Sequence, residues 1–128
     1  MRDDRERLLD ILDAIKQIDK YSSKGKAVFS SDELVQNWVA SHLQVIGEAS
    51  FALSQKFRAR HPEIPWKQII GLRHILVHHY FAVNLGIIWS VVEDDLPVFK
   101  PQIEAILKQL DLDEERRSDP SQPPVTPF

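Results

Sequence analysis

The stretch Leu34-Val35-Gln36-Asn37-Trp38-Val39-Ala40-Ser41-His42-Leu43 opens a run of apolar side chains that continues through Ile46, Ala49, Leu53 and Phe57. Steps of three and four residues place these positions on one side of an α-helix, with His42 on the same stripe. Ser30 followed by Glu33 has the spacing of a capping box, and no proline interrupts before His61-Pro62. The pattern predicts one helix of roughly 30 residues, about 45 Å long at about 1.5 Å per residue. Helices of that length pack side by side in bundles. Gly47 lies inside this helix and costs about 1 kcal/mol relative to Ala, which predicts a close helix contact or a bend at that point.

Working outward, Leu8, Ile11, Leu12, Ile15 and Ile18 repeat the same periodicity and predict a first helix from about Asp4 to Lys20. Ser22-Ser23-Lys24-Gly25-Lys26 has loop composition. Pro62-Glu63-Ile64-Pro65-Trp66 is a stiff connector, with Pro65 suited to the first turn of a third helix running through Ile69, Ile70, Leu72, Leu76 and Val77. A further helix is expected from about Asn84, with Leu85, Ile88, Trp89 and Val92 inward. Asp94-Asp95-Leu96-Pro97 resembles a new helix start, and Pro101 predicts a bend or a late start. The last helix is expected to end near Leu110, because residues 111–128 are mainly polar and four of the eight prolines fall in the final nine residues.

No alternation of period two extends far enough to build a sheet. The expected fold class is therefore all-α: one domain over residues 1–110, an antiparallel up-and-down bundle of four to five helices, followed by a disordered acidic, proline-rich tail over 111–128. Trp38, Phe51, Phe57, Trp66 and Trp89 are many large side chains for one small core, and they point to a homodimer.

Composition narrows the chemistry. A chain of 128 residues supports one core. The absence of cysteine removes disulfides, thiol nucleophiles and thiolate zinc sites. Charges of both signs occupy the N-terminus, and nowhere do roughly 18 apolar residues follow one another, so a cytoplasmic protein without a membrane segment is expected. The net charge of −3 argues against a broad basic face that coats nucleic acid, though not against a local site. Residues 111–128 carry five acids and two arginines, and the remainder is balanced.

The densest polar cluster within an apolar helix is Arg73-His74-Ile75-Leu76-Val77-His78-His79-Tyr80, which holds three of the five histidines. Satisfied core or surface groups are one reading. A metal site is another, since His74 and His78 would lie about 40° apart around a helix, but a third ligand would have to come from elsewhere. The third is phosphodiester cleavage without metal or other cofactor: an imidazole takes a proton from a ribose 2′-hydroxyl or gives one to the leaving oxygen, while a guanidinium steadies the phosphate. On a continuous helix Arg73 and His78 would point about 140° apart, whereas Arg73 and Tyr80 would share a face. A break near His78, or two subunits completing the site, would reconcile the pair.

The run Arg73-x-x-x-x-His78-x-Tyr80 resembles the signature of the HepT family within the HEPN superfamily. Its context is similar as well: Ile46-Gly47-Glu48-Ala49, then His61-Pro62-Glu63-Ile64-Pro65-Trp66, Gly71-Leu72-Arg73, Trp89 and Asp95-Leu96-Pro97. The likeness spans roughly residues 2 to 110. It implies a HEPN-like bundle that dimerises, with Arg73 and His78 of both subunits around one cleft. The implied activity is that of a metal-independent endoribonuclease toxin. It also implies an MntA-like nucleotidyltransferase antitoxin that uses ATP to adenylylate Tyr80, in a complex that can exceed a dimer. His74 stands where many relatives have Asn, and His79 where an acidic or small residue is common.

Glu48, His74 and His79 are candidate supporting residues, Glu48 by pairing with a basic group at the cleft. Lys56, Arg58, Arg60 and Lys67 suit a solvated charged face better than an RNA contact, and Trp66 and Trp89 suit core anchors better than stacking platforms. Two other functions fit the same fold: a non-catalytic subunit that positions substrate for a nucleotidyltransferase, and a purely structural dimerisation module.

Overall fold

The structure is a computed structural model and describes residues 3–78 and 85–118. Among these residues there is no strand; seven α-helical segments and one π-helical stretch follow one another. They are α1 (Asp4–Ser22), α2 (Lys26–Ser31), α3 (Glu33–Ala52), α4 (Gln55–Arg60), α5 (Trp66–His78), α6 (Leu85–Ser90), the π-helical stretch Val91–Asp95, and α7 (Leu96–Ser118). The all-α bundle is as expected from the periodicity.

The first helix begins where Asp3 leaves the helical conformation and its carboxylate accepts from the Glu6 amide at 2.9 Å. Leu8, Ile11, Ala14, Ile15 and Ile18 of α1 are buried, and Val35, Val39, Leu43, Ile46 and Ala49 of α3 meet them in the same core. Both ends of the α1–α3 pair are tied. Near the end of α1 the Trp38 indole N–H donates to the Gln17 carbonyl, and Tyr21 packs edge-on to the Trp38 ring at 5.2 Å. At the other end the Asp4 carboxylate accepts from the Ser54 amide and hydroxyl, each at 2.9 Å. The start of α1 thus sits beside the end of α3, so the two run antiparallel. The same logic orients α7: Arg5 pairs with Asp111 at 2.9 Å and Asp19 with Lys100 at 3.9 Å, which makes α7 antiparallel to α1.

The single long helix expected over about 30–60 is divided. Asp32 is extended, and its carboxylate accepts from the amides of Leu34 at 3.0 Å and Val35 at 3.3 Å, so Asp32 rather than Ser30 caps α3. Ser54 is also extended and caps α4 through the Phe57 amide at 3.1 Å. Each break is short enough that the apolar stripe resumes in phase, which is why Leu53 and Phe57 are buried although they lie beyond α3.

The start expected at Asp94–Pro97 is where α7 begins, at Leu96, but it follows directly on the π-helical stretch with no loop between them, and Pro101 lies inside that helix. Pro101 removes a single donor to the carbonyl four residues earlier without ending the helix. The helix also passes Leu110 and continues to Ser118, which corrects the expected start of a disordered tail at residue 111. Asp111 is engaged by Arg5, Gln109 donates to Asp113 at 3.0 Å, and no proline intervenes before Pro120. Residues 119–128 lie outside the described residues.

Trp66 and Trp89 are core anchors. Trp66 packs between Phe57 at 6.3 Å and Phe99 at 6.1 Å and donates to the His61 carbonyl at 3.0 Å, while Trp89 lies against Phe29 at 5.2 Å. These rings fix the start of α5 relative to α4 and α7. No helix among the described residues is long and apolar enough to cross a membrane.

Ser54 holds two elements at once, as cap of α4 and as donor to Asp4. Ser54→Ala is expected to lower stability by about 1 kcal/mol, the ordinary value of an N-cap, read as a lower urea midpoint at unchanged slope.

Candidate functional site

Gly47 is buried on α3, and a Cβ there would stand 2.9 Å from Cγ of Arg73, 3.2 Å from the Ile69 carbonyl oxygen and 3.3 Å from the Arg73 amide nitrogen. Two of those three atoms are backbone. Of the two expectations for Gly47, a bend or a close contact, the contact is what the structure contains. The backbones of α3 and α5 meet at the one position without a side chain, and the Arg73 stem lies in the gap.

The head of Arg73 is placed by the next turn of α3. Four residues after Gly47 and on the same face, the Phe51 ring lies 4.4 Å from Cζ of the half-buried Arg73. That distance falls within the range of a cation–π contact. Among the described residues no carboxylate forms an ion pair with Arg73. Glu48, the candidate partner, is exposed on α3 and its Oε1 accepts from Gln44 Nε2 at 3.2 Å. The guanidinium is therefore held in place with its positive charge uncompensated by any described acid.

His74 follows Arg73 on α5 and is exposed, and His78 is the last residue of that helix. The His78 side chain, together with His79 and Tyr80 entirely, lies outside the described residues, as does any helix break beyond His78. Arg73 and His78 share one continuous helix, so their register positions differ by about 140°. Among the described residues no cluster of three or more His, Asp or Glu side chains could hold a metal ion. Lys56, Arg60 and Lys67 are exposed, and Arg58 is half-buried with its Nε unpartnered.

Between α5 and α7 runs an apolar groove of about 490 Å³. Ile69, Leu72 and Ile75 of α5 form one wall; Leu96, Val98 and Phe99 of α7 belong to the other, with Ile46 and Ile87 also lining it. Ile87 and Val98 are more than half exposed at its rim. Phe51 was the residue that sequence patterns missed as a site component. Its signal was the spacing Gly47-x-x-x-Phe51, a gap and a ring on one helix face.

An all-helical bundle with an arginine recessed between two helices defines the class. The family model described as "Ribonuclease HepT-like" matches residues 11–106, and the chain belongs to this HepT-like family of the HEPN superfamily. It is 34% identical over 108 residues to the Thermococcus cleftensis protein named "Probable ribonuclease HepT", covering 84% of this chain and 98% of that one. It is 32% identical over 106 residues to a Methanocaldococcus jannaschii protein whose name provisionally assigns it as an RNase, covering 82% and 97%. A second M. jannaschii protein with the same provisional name is 36% identical over 115 residues, covering 89% and 95%. No solved structure matches the chain.

Gly47→Ala is expected to push α3 from α5, because the added carbon meets backbone that cannot rotate away. Overpacking of this kind costs about 1–3 kcal/mol. Urea denaturation should register the loss, while Gly71→Ala, with open space around its Cβ position, should leave the midpoint unchanged or raised.

Proposed function

We propose that this protein is a metal-independent endoribonuclease toxin in which Arg73 and His78 cleave RNA at a cleft shared by two copies. The observation that carries this reading is the Arg73 guanidinium, fixed by Gly47 and Phe51, unpaired with any described acid, and on the same helix as His78. A fixed, unneutralised guanidinium is suited to the charge that builds on a phosphate during cleavage. His78 takes the proton from a ribose 2′-hydroxyl, which attacks the adjacent phosphorus, and a second imidazolium, or the same His78 now protonated, gives a proton to the departing 5′-oxygen.

The register difference of about 140° between Arg73 and His78 favours a site assembled from two subunits. The groove beside α5, with Ile87 and Val98 exposed on its rim, is an apolar surface on which a second copy would bury those side chains. Two copies would then contribute an Arg73 and a His78 each to the cleft.

Control falls to Tyr80. A phenol with a pKa of about 10 is protonated at neutral pH and serves poorly as a base, but its oxygen accepts an adenylyl group from ATP once a partner nucleotidyltransferase activates it, releasing pyrophosphate. The attached phosphate places negative charge two residues from His78 and competes with RNA for Arg73. The partner is an MntA-like nucleotidyltransferase, and the RNA substrate places the encounter in the cytoplasm.

Arg73→Ala and His78→Ala should each reduce RNA cleavage by at least 100-fold, roughly the value of a removed charge-stabilising or acid–base group, with helical content unchanged. Chelator should have little effect; activity lost to EDTA and restored by zinc would support a His74/His78 metal site instead. Coexpression with an active cognate nucleotidyltransferase should add one or more AMP units at Tyr80 and abolish cleavage, as intact-mass and peptide mass spectrometry would show. Tyr80→Phe should escape modification and stay active, and an adduct at another residue would contradict the proposed switch.

A further inference from the structure

We propose that Phe51 is the positioning residue for Arg73, holding the guanidinium ready for a phosphate without neutralising it; this rests on the RNA-cleaving reading above. Phe51 contributes little to the core, being 55% exposed on α3. Among the described residues its ring contact is with the Arg73 guanidinium, Cζ lying 4.4 Å from the ring centroid.

The choice of an aromatic partner has a chemical consequence. A carboxylate beside Arg73 would hold it equally well but would engage its N–H donors in charge-assisted hydrogen bonds and compete with the substrate phosphate. A phenyl ring attracts the cation through its quadrupole and carries no net charge. The guanidinium retains its full charge for an incoming anion. The Gly47 gap constrains the stem and the Phe51 ring constrains the head, so the long side chain is ordered before RNA arrives. Glu48 is adjacent to Gly47 in sequence, yet its carboxylate accepts from Gln44 and forms no ion pair with Arg73.

Phe51→Leu and Phe51→Met keep an apolar side chain and remove the ring; Phe51→Tyr and Phe51→Trp keep it. Single-site kinetics on a short RNA should show kcat lowered roughly 3- to 30-fold in the Leu and Met variants, the fold-change corresponding to a partly exposed cation–π contact, with KM little changed. Tyr and Trp should restore kcat to within about twofold of wild type, and the unfolding midpoint should stay constant across the set. The stack has a second readout that does not depend on activity. Ring currents from Phe51 should shift the Arg73 side-chain δ and ε protons upfield in wild type and Phe51→Tyr, and the shift should vanish in Phe51→Leu. Wild-type kcat in the Leu and Met variants, or Arg73 resonances unmoved by loss of the ring, would overturn the proposal. If the wild-type chain cleaves no RNA, the ribonuclease reading fails on its own. In that case the resonances, together with the affinity for inorganic phosphate in wild type and Phe51→Leu, decide whether Phe51 positions Arg73 as an anion-binding group.

Discussion

The close approach of α3 and α5 at Gly47 is the constraint on which the candidate site depends. A side chain of any size there would meet the Ile69 carbonyl oxygen and the Arg73 amide, so the distance between the helices is set by the absence of one atom. Given that distance, the Arg73 stem is recessed and its head reaches the ring at Phe51. The rest of the bundle serves to keep α3 where this can happen. Antiparallel ties at both ends of α1 lock α3 against it, and the Phe57–Trp66–Phe99 packing sets where α5 begins.

Much of this was legible in the sequence, for reasons that can be traced to particular residues. The stripes of α1 and α3 face the core because apolar side chains at three- and four-residue spacing have no other way to leave water. The breaks at Asp32 and Ser54 were not legible from that stripe, since one or two extended residues preserve its phase. Their signal was the capping chemistry of Asp and Ser, which competes with the apolar pattern and in this chain prevails. The end of α7 was misjudged because polar composition alone says little about a helix that is tied by Arg5–Asp111 and Gln109–Asp113. Pro101 allows a bend or a late start in the sequence, yet α7 begins at Leu96, directly after the π-helical stretch, and stays helical through Pro101.

The site was legible in the same uneven way. Arg73 stood out as a charge within an apolar helix, and Gly47 as a helix-weakening residue with no local purpose. Their contact belongs to tertiary structure, where two residues 26 apart in sequence meet only once their helices are packed together. Phe51 escaped because an aromatic residue among apolar ones is indistinguishable from core until its exposure is known. The near-neutral balance of residues 1–110 fits a site with a few strong phosphate contacts, in contrast to a broad basic face whose affinity comes from many weak ones.

The central claim is that Arg73 and His78 cleave RNA by acid–base chemistry on the ribose 2′-hydroxyl. Its most direct test is the identity of the ends left by purified, unmodified protein acting on a defined RNA, determined by mass spectrometry. Attack by the 2′-oxygen predicts a 2′,3′-cyclic phosphate on one fragment and a 5′-hydroxyl on the other. Fragments bearing a 5′-phosphate and a 3′-hydroxyl would mean that water and not the ribose was the nucleophile, and would contradict this account.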